Sequence, residues 1–143
     1  MDKATTKYNL KITRISPQKT TNASVNCTHF LEMLNSFPDA TLCFTDGSKI
    51  GYRTGFAYSI NNKTFPDRHR NSASISTVEL QAIFQCLESI LSLIYPALHT
   101  FLIASDSLTA PTTISNIHSS HPIASRIHSV SYTHLTLPTI YSV

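Results

Sequence analysis

Three acidic residues stand in short phrases that could carry out one chemistry together. Asp46 follows Leu42-Cys43-Phe44-Thr45, Glu79 lies in Ser76-Thr77-Val78-Glu79-Leu80, and Asp106 follows Phe101-Leu102-Ile103-Ala104-Ser105. Two of them close apolar, β-favouring runs, and the third opens a long amphipathic stretch. Open α/β sheets place their ligand chemistry at the carboxyl ends of strands. Carboxylates converging from two strands and a helix can hold two divalent cations roughly 3.5–4 Å apart, the arrangement that stabilises the attacking and leaving oxygens of phosphodiester hydrolysis. The pattern points to a nuclease-type site. Each acid also has a plainer role. Asp46-Gly47-Ser48 could be a turn after a strand, Ser76 could cap a helix with Glu79 reaching back to it, and Asp106-Ser107 could cap the next helix. Those three roles are independent, whereas one metal site accounts for all of them. Gly47 and Ser48 could offer backbone N–H groups to a substrate, and Ser76, Thr77 and Ser107 could offer hydroxyls.

The elements that must position these residues follow from the hydrophobic pattern. Residues 40–46 alternate, with Leu42 and Phe44 on one face and Cys43 and Thr45 on the other, which predicts a central strand ending at Asp46. Residues 53–60 and 63–70 predict two more strands around Asn61-Asn62, because asparagine tolerates the positive φ of a two-residue hairpin turn. Pro66 cannot donate to a ladder and makes the last of them an edge strand or a short one. Leu80, Ile83, Phe84, Leu87 and Ile94 recur at helical spacing and predict a helix over 77–95, stopped by Pro96. Residues 100–106 predict a buried strand, and residues 108–117 a helix that Pro111 shortens, kinks or delays. A further helix starts at Pro122 and runs to about residue 128. Residues 1–38 carry one periodic patch, 29–37, and read as a connector with one short helix ended by Pro38. A helical crossover followed by a strand demands a parallel pairing beside the antiparallel hairpin. The expected fold is therefore a mixed α/β sheet with helices on its faces.

Four phrases carry a family resemblance: Phe44-Thr45-Asp46-Gly47-Ser48-Lys49, Gly55-Phe56-Ala57-Tyr58, Thr77-Val78-Glu79-Leu80-Gln81-Ala82-Ile83 and Ser105-Asp106-Ser107-Leu108. In this order and approximate spacing they resemble ribonuclease H, most of all the type 1-like domain of non-LTR retrotransposon polyproteins. The resemblance covers residues 38–128. It implies the ribonuclease H-like mixed sheet, hydrolysis of the RNA strand of an RNA–DNA hybrid with two Mg2+ or Mn2+ ions, and a polymerase domain upstream. It implies that Asp46 bridges both ions, that Glu79 and Asp106 help hold the ion on the leaving-group side, and that Glu79 senses the RNA 2′-hydroxyl. That hydroxyl is what separates RNA from DNA at a single site. It also implies a further strand and a last helix with a fourth acidic residue. No Asp or Glu follows Asp106, so the domain is expected to be incomplete at its C-terminus. One alternative is a catalytically dead nucleic-acid-binding remnant of the domain. Another is a different two-metal nuclease or transposase of the same superfamily, against which the glutamate of the long helix and the Thr-Asp-Gly-Ser phrase both speak.

The end of the chain has a different character. Residues 130–139 read Val-Ser-Tyr-Thr-His-Leu-Thr-Leu-Pro-Thr. This is similar to a translated transposase-based sequencing-library adaptor, GTC TCT TAT ACA CAT CTG ACG CTG CCG ACG. A short barcode would encode residues 140–142, and the next adaptor bases, GTG TAG, would give the final valine and a stop. The expected organisation is a connector over 1–38, a truncated domain over 39–128 and an adaptor-derived tail over 129–143.

A chain of 143 residues with 41% apolar and 13% charged content fits one domain with its own core. Its net charge of +3 favours a nucleic-acid partner only mildly. Three cysteines cannot all pair internally, and their spacing suits neither zinc nor a disulfide framework, which points to a reducing compartment. His118, His121 and His128 likewise lack the spacing of a zinc helix. Gln85, Glu88 and Pro96 interrupt the most apolar stretch, so no membrane span is expected. The basic, polar start lacks a secretory signal region, and an intracellular location is expected.

Overall fold

The computed structural model describes residues 8–14, 32, 34–68, 74–93, 95, 98–105, 107, 110–116, 118–134 and 139–141. The elements run β1 (Asn9–Arg14), β2 (Thr41–Ile50), β3 (Arg53–Ile60), β4 (Lys63–Arg68), α1 (Ile75–Ser92), β5 (Thr100–Ser105), α2 (Ala110–Ser115), α3 (Pro122–His134) and β6 (Thr139–Tyr141). The strands form one sheet in the order β4-β3-β2-β5-β1-β6. β2, β3 and β4 form an antiparallel meander. β5 pairs parallel with both β2 and β1, so the sheet is mixed, as the sequence predicts.

Local chemistry explains the turns. Asn61 and Asn62 adopt φ of 50° and 71°, the left-handed pair that a tight hairpin requires between β3 and β4. β4 carries Pro66 at the sheet edge, with every residue exposed. β2 differs from expectation: it continues past Asp46 to Ile50 before turning at Gly51, whose φ is 61°. Residues 47–50 stay paired with β3, down to Ile50 opposite Arg53, so Asp46 lies inside a strand and not in a turn.

The helices bury their apolar stripes in one core. α1 contributes Leu80, Ile83, Phe84, Leu87 and Ile90, which meet Cys43, Ile60, Phe101 and Ile103 from the sheet. α2 and α3 add Ile114, Ile123 and Ile127 to the same cluster. The Arg126 guanidinium stacks 4.3 Å from the Phe84 ring centroid and ties α3 to α1. α2 begins at Ala110, so Pro111 sits in the first turn, where a missing N–H costs nothing.

Two departures concern the ends. The segment expected to be a connector supplies β1, which pairs residue for residue with β5 from Asn9 opposite Thr100 to Arg14 opposite Ser105. Tyr8, Leu10 and Ile12 face the core, and Leu10 is 1% exposed. That alternation spans too few residues, with Lys11 among them, to stand out as a strand in the sequence. Of the expected helical patch, Glu32 and residues 34–36 are helical, and Phe37 lies beneath the Lys11 ammonium, 4.8 Å from its ring centroid. At the other end, α3 continues beyond residue 128 to His134, and Val130 packs against the core. Residues 139–141 pair parallel with β1 at Lys11, Ile12 and Thr13. No helix among the described residues is long and apolar enough to cross a membrane.

Candidate active site

The site lies where β2 outruns its parallel neighbour. β5 ends at Ser105, which pairs with Thr45, so from Asp46 onward β2 has no described partner on that side. Such a notch, at the carboxyl end of a strand, is where an α/β sheet leaves room for a ligand.

Glu79 reaches this place from the helix face. The capping geometry of α1 decides its role: the N-cap is Ser74, whose Oγ accepts the Thr77 N–H at 3.2 Å. Ser76 is therefore inside the helix and Glu79 lies beyond its N3 position, so the capping-box role for Glu79 does not hold. Instead, the Ser107 hydroxyl donates to Glu79 Oε2 at 2.5 Å. A hydrogen bond to a carboxylate is charge-assisted and stronger than one between neutral groups. Ser107 is itself fixed, because its Oγ accepts the Ala110 N–H at 2.9 Å and its N–H donates to Ser105 Oγ at 3.1 Å. It thus caps α2 and orients Glu79 at once. Ser107 is 1% exposed.

Gly47 is where α1 presses on the sheet. A Cβ at this residue would sit 2.9 Å from the Glu79 backbone nitrogen and 3.0 Å from its Cγ. Only glycine permits this approach, and the approach brings the first turns of α1 against β2.

Asp46, one residue earlier, is exposed. Cys43 and Thr45 are buried while Phe44 and Asp46 are exposed, the alternation of a strand with one covered face. Asp46 opens onto a cleft of about 300 Å³ lined with Phe44, Ala57, Ser59, Thr64 and Ala104. Asp46 precedes Gly47 in β2 and Glu79 lies against Gly47, so the two acids stand beside neighbouring residues of one strand. Asp106 lies outside the described residues, between Ser105 and Ser107. Among the described residues no three His, Cys, Asp or Glu side chains converge to hold a metal.

The other expected contacts divide. Ser48 is exposed, with its Oγ donating weakly to the Gly55 carbonyl at 3.5 Å. Ser76 and Thr77 are half-buried in the first turn of α1. Sequence reasoning missed the hydrogen bond from His121 to Thr77, 3.3 Å long, which joins α3 to that turn. It also missed Thr45, whose buried hydroxyl has no hydrogen-bond partner among the described residues.

No family model matches the sequence, and no curated protein matches it. Solved structures do resemble it. A ribonuclease H1 isolated from compost by a metagenomic approach, in complex with an RNA/DNA hybrid, superposes with a TM-score of 0.58 at 11% identity, covering 72% of this chain and 84% of that one. A second structure of that protein gives 0.56 at 12% identity, covering 73% and 84%. Ribonuclease H1 from the halophilic archaeon Halobacterium salinarum gives 0.54 at 13% identity, covering 73% and 85%. At such identities the likeness is one of fold: the chain has the ribonuclease H-like α/β architecture.

Proposed function

We propose that this chain is a retroelement ribonuclease H domain, a metal-dependent endonuclease that cuts the RNA strand of an RNA–DNA hybrid. The observation that carries the reading is the setting of Glu79. Ser107 orients its carboxylate, and Gly47 admits its helix turn against β2, one residue from Asp46. A carboxylate held at the end of β5, where the sheet leaves a notch, is placed to bind a ligand there. The likeness to a ribonuclease H1 solved with an RNA/DNA hybrid supports the substrate class. The retroelement origin, and the adaptor reading of the residues from Val130, rest on the sequence phrases.

The donors suit Mg2+ or Mn2+, because they are carboxylate oxygens without thiol or imidazole among them. Asp46, Glu79 and Asp106 would hold the ions, which when bound supply charge stabilisation and an activated water. The chain's own contribution is positioning. Ser107 keeps Glu79 in one rotamer, and the exposed Asp46 keeps its oxygens available to the cleft.

The test is cleavage of a hybrid labelled on either strand. The expected result is slow cutting of the RNA strand alone, dependent on Mg2+ or Mn2+, absent in EDTA and lost in Asp46→Asn. Undiminished cutting in EDTA or by Asp46→Asn would sink the proposal. A second reading is a nucleic-acid-binding remnant of the domain without activity. It predicts hybrid binding with no cutting in any metal.

A further inference from the structure

His121 occupies a joint that the carboxylates do not explain. It precedes Pro122, the first residue of α3, and its Nδ1 accepts the Ile123 N–H at 3.2 Å. An acceptor in this position, followed by proline at the first helical residue, satisfies one of the helix's unpaired N–H groups. The bond also fixes the tautomer: with Nδ1 accepting, the proton of the neutral ring belongs to Nε2. Nε2 lies 3.3 Å from Thr77 Oγ1 and so donates to it. The Thr77 proton is then free for Ser74 Oγ, 2.9 Å away, and Ser74 Oγ in turn accepts the Thr77 N–H. The approach to the ring is ordered too, with the His121 N–H donating to Ser119 Oγ at 3.2 Å and the His118 N–H to Asn116 Oδ1 at 3.0 Å.

One imidazole thus links the start of α3 to the cap of α1, and the cap of α1 sets the turn that carries Glu79. We infer that His121 is a positioning residue for the site, holding the Ser74–Thr77 cap, and through it Glu79, in place from across the helix pair. The inference rests on the metal-site reading above. The packing of Arg126 on Phe84 keeps α1 and α3 together without the histidine, so His121 is left to set the fine position of the α1 start. His121 touches neither Glu79 nor Asp46 in the hydrogen bonds described, and its effect runs through Thr77.

Two substitutions separate the functions of the ring. In His121→Asn the side-chain oxygen can still cap α3, since asparagine is a favoured N-cap, but it is too short to reach Thr77. In Thr77→Val the β-branched shape stays and the hydroxyl goes. Hydrogen exchange of the metal-free chain reads the joint directly. In His121→Asn, the Thr77 and Val78 amides should exchange about fivefold faster while Ile123 stays protected, the change expected for one lost hydrogen bond. The Mn2+ affinity of the chain should fall by a similar factor, about fivefold. The double variant should lose no more than either single one, because the two groups act as one unit. Unchanged Thr77 and Val78 exchange in His121→Asn would overturn the inference while metal binding stood. Equal loss of protection at Ile123 and Thr77 would overturn it too, as the mark of general loosening. Absence of Mn2+ binding by the unaltered chain would overturn the metal-site reading and the inference with it.

Discussion

Residue 47 has no room for a methyl group. In Gly47→Ala the new carbon must push the first turns of α1 away from β2, because its nearest neighbours include backbone atoms of Glu79 and not only a flexible side chain. The expected cost is about 1–3 kcal/mol in denaturant unfolding, with weaker metal binding as Glu79 shifts. Ser107→Ala removes the α2 cap and the Glu79 hydrogen bond together, and should cost about 1–2 kcal/mol by the same measurement. Thr45→Val should go the other way. It replaces a buried hydroxyl that has no partner among the described residues with an isosteric methyl group, and should raise stability by up to about 1 kcal/mol. Cys86 gives a pH signature. A hydrogen bond with Cys43, then burial, then the neighbouring thiol's charge push its thiol well above its ordinary value of 9.0. A raised thiol pKa means the native state holds its proton more tightly than the unfolded state. That stability is full below the ordinary pKa and drains away as pH rises above it. Thermal melts should therefore fall in midpoint as pH is raised past 9, and less steeply in Cys86→Ala.

Among the elements, the sequence was most informative where a pattern is long or a turn is chemically demanding. The stripe of α1, the Asn61-Asn62 hairpin and the edge strand with Pro66 could all be read from residue types alone. β1 could not. Its Leu10 and Ile12 gain meaning only beside Phe101 and Ile103, and nothing in so short a run announces which strand it will join. The same holds at the site. Asp46 and Glu79 stand in phrases that can be recognised, but the links from Ser107 to Glu79 and from His121 to Thr77 span 28 and 44 residues and exist only once the helices are in place. α1 starts at Ile75, two residues before the expected Thr77, because Ser74 and Ser76 are equally good caps in isolation. The two outer strands should differ sharply in importance. Ile12→Ala removes a fully buried side chain between β5 and β6 and should cost about 2–5 kcal/mol. Ending the chain after His134 removes, among the described residues, the three-residue β6, and should cost less than about 1 kcal/mol in the same unfolding experiment.

In the whole molecule, the ribonuclease H-like fold brings the start of α1 against the middle of β2. β5 runs parallel to β2 and ends opposite Thr45, next to Asp46, and the helix that leads into β5 starts against Gly47 at the same notch. That topology makes a metal site there geometrically economical, but the fold alone does not assign the chemistry. The proposed cation site lies between Asp46–Gly47 of β2 and the first turns of α1. Paramagnetic NMR of the chain with substoichiometric Mn2+ tests it most directly, since broadening depends on distance from the ion and not on turnover. The expected result is selective broadening of the Gly47, Glu79 and Ser107 amides, abolished in Asp46→Asn. Broadening that is scattered over surface residues, or that survives in Asp46→Asn unchanged, would contradict it.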